Sequence, residues 1–371
     1  MKIVIAPDSF KDSISARDAA EAIACGLASV LGDSAELIRM PIADGGEGTL
    51  DALTDPRDRI KVRVTGPLFE PVDAVYGFFD DTAVIEMAAA AGLMLVPADR
   101  RRAAQTTTYG VGELIRHAHA NGFRKILLTV GGSATNDGGC GMLAALGAVF
   151  RDAKGERLIP TGGTLSAIAS LDLASAEPIL RDCTFRIATD VKNPLLGAEG
   201  ATMVYGRQKG ACEEELTAIE AGMCHYAALL ARLCGREIAS LAGCGAGGGI
   251  GAPLLAFADA EIGSGIETVL QMKGFSQALR NADLVITGEG RLDLQSLWGK
   301  AISGVANVAR AQDVPIYCMV GCLGAEREAL LRLGLADILE VASHAESVED
   351  SMKNAARYLF LLAAELARRL M

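Results

Sequence analysis

Short stretches of this 371-residue chain combine glycine with acidic, basic and hydroxyl residues. They are Asp8-Ser9-Phe10-Lys11, Asp44-Gly45-Gly46-Glu47-Gly48-Thr49, Gly131-Gly132-Ser133-Ala134-Thr135-Asn136-Asp137-Gly138-Gly139, Thr189-Asp190-Val191-Lys192-Asn193 and Thr287-Gly288-Glu289-Gly290-Arg291-Leu292-Asp293. A turn that only reverses the chain uses glycine or a short polar residue and has no need of Asp, Glu, Lys and Arg together. The mixture suits movement of a phosphoryl group. That chemistry needs backbone amides and hydroxyls around phosphate, carboxylates for Mg²⁺, cations for the charge that develops, and a base for the attacking hydroxyl.

Gly131, Gly132, Ser133 and Thr135 are the candidate phosphate cradle, with the glycines of Gly247 to Gly251 as a second one. Asp44, Glu47, Asp190 and Glu289 are metal or base candidates, because Mg²⁺ takes one or two carboxylates together with phosphate oxygens. Lys11, Lys209 and Arg291 are the cations, and Arg291 can grip a carboxylate or phosphate with two N–H groups. Asp8, Ser9, Gly45, Gly46, Asn136, Gly288 and Gly290 lie on the same motifs and are expected to line the substrate or phosphate. Capping a turn explains each acidic residue, taken singly, as well as catalysis does. The stretch at Gly131 has no lysine of its own and cannot be a self-contained P-loop, so Asn136 and Asp137 either orient the acceptor or brace the turn.

The elements that must carry these motifs repeat one pattern. Lys2 to Ala6, Glu36 to Met40, Lys125 to Val130, Thr184 to Ala188, Ala282 to Ile286 and Pro315 to Val320 read as strands, and the polar motifs follow strand ends, ahead of helical patterns. Ser15 or Ser13 is the expected cap of the first helix, and a helix is expected after Gly299-Lys300. Ligands of open α/β sheets bind beyond the carboxyl ends of their strands. Between about 59 and 86 the pattern turns to alternating segments joined by Thr65-Gly66-Pro67, an antiparallel element in a second domain. The expected architecture is a doubly wound α/β domain built from both chain ends, 1–62 with 282–371, and an inserted α/β domain at 63–281, with the site in the cleft between them.

Composition narrows the partners. A net charge of -11 argues against general nucleic-acid binding, which depends on a basic face. No apolar run is long enough for a membrane span. Nine cysteines without paired spacing suggest reduced thiols and a cytoplasmic location. Homo-oligomerisation stays open. Three adjacent arginines, Arg100 to Arg102, read as a solvated turn. Gly243, Gly245 and Gly248 satisfy GxGxxG, but no strand precedes them, so an NAD-dependent oxidoreductase is the weaker alternative. A non-catalytic nucleotide or metabolite sensor is another.

The strings APDSFK at Ala6, ADGGEGT at Ala43, VTGP at Val64, IEMA at Ile85, TTTYG at Thr106, GGSATNDGG at Gly131, QKGA at Gln208 and TGEGRLD at Thr287 resemble the glycerate kinase family of the bacterial glycerate/glucarate-catabolism type. The resemblance runs through the whole chain in the same order. It implies ATP-dependent phosphorylation of D-glycerate with Mg²⁺, giving 2-phospho-D-glycerate, on a flavodoxin-like domain beside a second α/β domain that resembles a restriction-endonuclease core. Glycerate would offer its carboxylate to Arg291 or Lys11 and a hydroxyl for attack, with Asp190 as base. Another small sugar acid is the alternative acceptor. The chain departs from the family pattern at Thr189, at Arg207 and at Cys244-Gly245-Ala246-Gly247.

Overall fold

The structure is a computed structural model that describes residues 1–293, 301–332 and 334–371. Gly299 and Lys300 lie outside the described residues, and the helix Ala301–Arg310 follows them. In chain order the strands are β1 (Lys2–Pro7), β2 (Glu36–Arg39), β3 (Arg59–Thr65), β4 (Pro71–Phe79), β5 (Thr82–Glu86), β6 (Lys125–Thr129), β7 (Val149–Arg151), β8 (Arg157–Leu158), β9 (Ser170–Asp172), β10 (Thr184–Ala188), β11 (Asp259–Gly263), β12 (Leu284–Leu292), β13 (Ile316–Leu323) and β14 (Asp337–Glu340).

The chain divides into two compact units, 1–53 with 264–371, and 54–263. The expected boundaries at 62 and 282 therefore move. Residues 59–65 form β3, which pairs antiparallel with β4 in the sheet of the second unit. The helices Gly265–Met272 and Phe275–Ala278 belong to the first.

In the first unit the strand order is β14-β13-β12-β1-β2, and every adjacent pair is parallel. Ile3, Val4, Ile5 and Ala6 are all fully buried, as a central strand covered on both faces requires. The helix Ala16–Leu31 starts at Ser15, whose hydroxyl accepts from Asp18 N. It lies against the helix Ala355–Leu370, and a Cβ at Gly26 would fall 2.3 Å from Phe360 O, so this approach admits only glycine. Ile23, Leu27, Leu359, Leu362 and Leu366 fill that contact, each contributing about 1.5–3 kcal/mol through burial.

The second unit carries a six-stranded sheet, β11-β10-β6-β5-β4-β3. Strands β11, β10, β6 and β5 run parallel, whereas β4 and β3 are antiparallel additions. A small antiparallel sheet, β8-β7-β9, and the long helix Glu213–Cys234 complete it.

One motif sits differently from expectation. Thr287 to Leu292 do not form a turn after a strand; they continue β12, because β13 goes on pairing with it through Glu289↔Val320, Arg291↔Cys322 and Leu292↔Leu323. Strand β1, its other neighbour, stops pairing at Pro7↔Gly288. Since side chains alternate along a strand, Glu289 and Arg291 point to one face and Gly288 and Gly290 to the other. Likewise Gly321 and Cys322 belong to β13.

Candidate active site

Two groups of the expected residues assemble, one in each unit. In the first unit β1 and β12 end side by side, and Asp8 N donates to Gly288 O at 2.8 Å. Asp8 and Ser9 follow β1, with Ser9 N donating to Asp8 Oδ1 at 2.6 Å. A Cβ at Gly290 would stand 3.4 Å from Lys11 N, so the Phe10–Lys11 backbone lies against β12 next to Arg291. The loop after β2 folds on itself, Gly46 N donating to Asp44 Oδ1 at 2.9 Å and Thr49 Oγ1 to Gly46 O at 2.8 Å. Lys11, Glu47 and Arg291 are exposed; Asp44 and Glu289 are half-buried.

The charges show that these groups meet. Burial, then the negative charge of Asp44 and, less, of Glu289 push the Asp8 carboxyl up to about 8, against its hydrogen bonds from Ser9. Burial and the neighbouring carboxylates thus favour the protonated form of Asp8. Among the described residues no three Asp, Glu, His or Cys side chains close a metal cage by themselves. An arrangement of this kind fits Mg²⁺, which is held by one or two carboxylates with phosphate oxygens and water completing its shell.

In the second unit the turn after β6 is bound from several sides. Asp137 is fully buried and accepts from Thr108 N and Thr108 Oγ1, both at 2.9 Å, from Gly139 N at 3.1 Å and from Gly141 N at 3.2 Å. The Thr106-Thr107-Thr108 hydroxyls thus serve the fold: Thr108 Oγ1 also accepts from Met142 N, and Thr107 Oγ1 accepts from Tyr109 N. Asn136 Nδ2 donates to Thr202 Oγ1 at 3.0 Å. Thr135 Oγ1 and Asn136 Oδ1 are buried and have no hydrogen-bond partner among the described residues. Both residues are fully enclosed, so the open part of the turn is Gly131 and Gly132, with Ser133 just beneath.

Lys209 comes to this turn from a distant segment. Its Nζ donates to Ser133 Oγ and to Thr135 O, both at 2.7 Å, supplying the cation that the turn lacks in sequence. Arg207 adds none, because it pairs on the surface with Glu213 at 2.7 Å. Burial lowers the Lys209 ammonium from 10.5 to about 7, against the pull of Asp137. The folded chain therefore releases this proton near pH 7 while the unfolded chain keeps it up to the ordinary lysine range. Across that window the unfolded state binds more protons, so stability rises with pH, and the penalty is complete below about 7. Lys209→Met is expected to remove this contribution, so that urea midpoints of the variant climb less between about pH 7 and 9 than those of the wild type, with Lys273 and Asp8 still titrating in that window. Equal slopes in the two proteins would assign the titration to another group.

Asp190 follows β10, whose Ala188 pairs with Thr129 of β6, so Asp190 and Gly131 leave adjacent strands at one sheet edge. Asp190 is half-buried. The glycine run at Gly243 to Gly251 has a mechanical explanation. A Cβ at Gly248 would fall 2.1 Å from Thr135 O, one at Gly245 2.1 Å from Pro194 O, and Gly138 N donates to Gly248 O at 3.0 Å. The run is the floor on which the Gly131 turn rests, and no strand precedes it to make a dinucleotide-binding unit.

A residue absent from the sequence expectation also belongs here. Lys273 is half-buried and donates to Pro41 O and Ala52 O, at either end of the acidic loop.

The model of the glycerate kinase family matches residues 3–371. The chain belongs to the glycerate kinase family. This kinase is 44% identical to a glycerate kinase of Bacillus subtilis (strain 168) over 371 residues, covering 99% of this chain and 97% of that one. It is 42% identical over 360 residues to a protein of Escherichia coli (strain K12) named glycerate 2-kinase, covering 96% and 94%. The crystal structure of a Salmonella typhimurium LT2 protein designated glycerate kinase 2 superposes with a TM-score of 0.89 at 43% identity, covering 100% of the kinase and 98% of that chain.

Proposed function

We propose that this kinase transfers the γ-phosphoryl group of ATP to D-glycerate, giving 2-phospho-D-glycerate, with Mg²⁺ as cofactor. The observation that carries the reading is the convergence of Asp8, Asp44 and Glu289 at the carboxyl ends of parallel strands, close enough for Asp44 and Glu289 to raise the Asp8 carboxyl. The order β2-β1-β12-β13-β14 supports a flavodoxin-like description of the first unit, and the name glycerate 2-kinase of the Escherichia coli relative supports the position of transfer.

Asp44 and Glu289 would hold the metal with Glu47 beside them, and the metal supplies neutralisation of phosphate charge when bound. Arg291, on the same strand face as Glu289, would grip the glycerate carboxylate or the transferring phosphate with paired N–H donors, and Lys11 would add a second cation. Asp8 and Ser9, with the small Gly45, Gly46, Gly288 and Gly290, would let the substrate approach backbone amides. Gly131, Gly132 and Ser133 would cradle phosphate, with Lys209 fixing the Ser133 hydroxyl and Thr135 and Asn136 bracing the turn from within. Asp190 would accept the proton of the attacking hydroxyl. A cytoplasmic location goes with this reading, supported by nine cysteines of which none is in a disulfide. Among the described residues no helix is long and apolar enough to cross a membrane.

Phosphorus NMR after incubation with ATP, Mg²⁺ and D-glycerate tests the proposal. The phosphate resonance should couple to the single methine proton at C2. Coupling to a methylene pair would place transfer at C3, and no new phosphoester alongside slow ATP loss would remove glycerate as acceptor.

A further inference from the structure

The acidic loop between β2 and the helix Thr49–Leu53 carries Asp44 and Glu47. Its internal bonds are short-range, Gly46 N to Asp44 Oδ1 and Thr49 Oγ1 to Gly46 O. At its start Ile42 N reaches Pro7 O at 3.0 Å, and beyond that point no strand among the described residues takes up the backbone. Glycine at 45, 46 and 48 leaves the chain more freedom to lose than any other residue would.

The helix Gly265–Met272 supports the loop at two places. At its first turn a Cβ on Gly265 would come 1.9 Å from Asp44 O and 2.5 Å from Gly45 Cα, so helix and loop touch backbone to backbone. Just past its last turn, about 12 Å away along the axis, Lys273 turns its ammonium back under the loop. Nζ donates to Pro41 O at 2.8 Å and to Ala52 O at 2.7 Å, the two carbonyls that bracket the whole acidic segment.

From this juxtaposition we propose that Lys273 is a positioning residue of the kinase, a two-ended clasp that, with the Gly265 contact, holds Asp44 and Glu47 where the reaction uses them. A lysine kept only for solubility would not bury its ammonium, and burial, with Arg17 nearby, lowers its pKa to about 8. One ammonium bonded to both ends of a loop shortens the range of conformations the segment between them can reach, and preorganised carboxylates need no rearrangement when substrate arrives. The inference rests on the reading that the acidic loop is part of the site.

The test compares Lys273→Met, Lys273→Arg, Gly265→Ala and Asp44→Asn in the full chain. Initial rates with ATP and glycerate are measured alongside amide hydrogen exchange resolved over Gly45 to Thr49 and over β1 and β12. Lys273→Met should lower kcat at least tenfold and speed exchange of the loop at least tenfold, with exchange in the strands unchanged. Lys273→Arg, which can still reach both carbonyls, should recover kcat to within about threefold of wild type. Gly265→Ala, with the lysine intact, should reproduce both effects by pushing the loop from its other support. The inference is overturned if Lys273→Met turns over and exchanges like wild type, or if loop and strands loosen together in it and in Gly265→Ala. Should Lys273→Met fail to fold, Gly265→Ala decides between the same outcomes. Full kcat in Asp44→Asn would instead remove the loop from the site and sink the functional reading, while the exchange data still report whether Lys273 clasps it.

Discussion

Asp190→Ala is expected to cut kcat about a thousandfold, the scale of a lost general base, and to leave the unfolding transition where it is. Asp190 stands two residues beyond Ala188, which with Thr129 is the last pair of β10 and β6, in a half-buried position at the carboxyl end of the strand. Lys11→Ala, removing an exposed cation next to the end of β12, is expected to cost about a hundredfold, as loss of one charge-stabilising donor does. Steady-state kinetics at saturating ATP and glycerate, paired with thermal melts, separate the cases. Near-full kcat in either variant would end that residue's assignment. An activity loss matched by a melting point lowered by many degrees would make the residue structural.

The second large effect is on stability. Asp137→Ala should destabilise the protein by about 4 kcal/mol, because buried donors on Thr108, Gly139 and Gly141 lose their acceptor where water does not reach. Burial pushes the Asp137 carboxyl up despite these hydrogen bonds, so its charge is not what the fold gains. Its value is as an acceptor at the point where the Gly131 turn, the Thr106 segment and the helix Cys140–Ala145 meet. Asp137→Asn keeps one carbonyl oxygen and should therefore lose about half as much. Urea unfolding of both variants measures the difference, and equal losses would show that charge, not acceptor count, matters there.

The strand ends were legible because polar residues interrupt long apolar runs at Asp8, Asp44, Gly131 and Asp190. Those interruptions need no partner in order to be seen. Three features were not legible, each for a reason that sequence spacing does not carry. Thr287 to Leu292 contain the glycines of a turn yet extend β12, since pairing with β13 outweighs local preference. The glycines at 243–251 imitate a nucleotide fingerprint, and their need for glycine comes from backbone that arrives from Thr135 and Pro194. Lys273 sits at a helix end before Gly274, where a lysine ordinarily faces solvent; its bonds run to residues more than two hundred positions away. The boundary at 53/54 was displaced for a similar reason, as the ownership of β3 depends on β4 rather than on the helix before it.

The pairing of β1 with β12, Ile3 beside Leu284, also bears on how the polypeptide is made. At a translation rate of about 5–20 residues per second, β1 waits on the order of tens of seconds for that neighbour. Meanwhile the contiguous segment 54–263, a compact unit, leaves the ribosome complete. Ile3, Val4 and Ile5 spend that interval with one strand edge and both faces uncovered, an invitation to chaperones or to aggregation. Asp8 and Asp44 gain Glu289 as a neighbour only when about four-fifths of the chain has been synthesised. The acidic centre is thus late in biogenesis, and nascent chains released early would hold the glycine-floored unit without it.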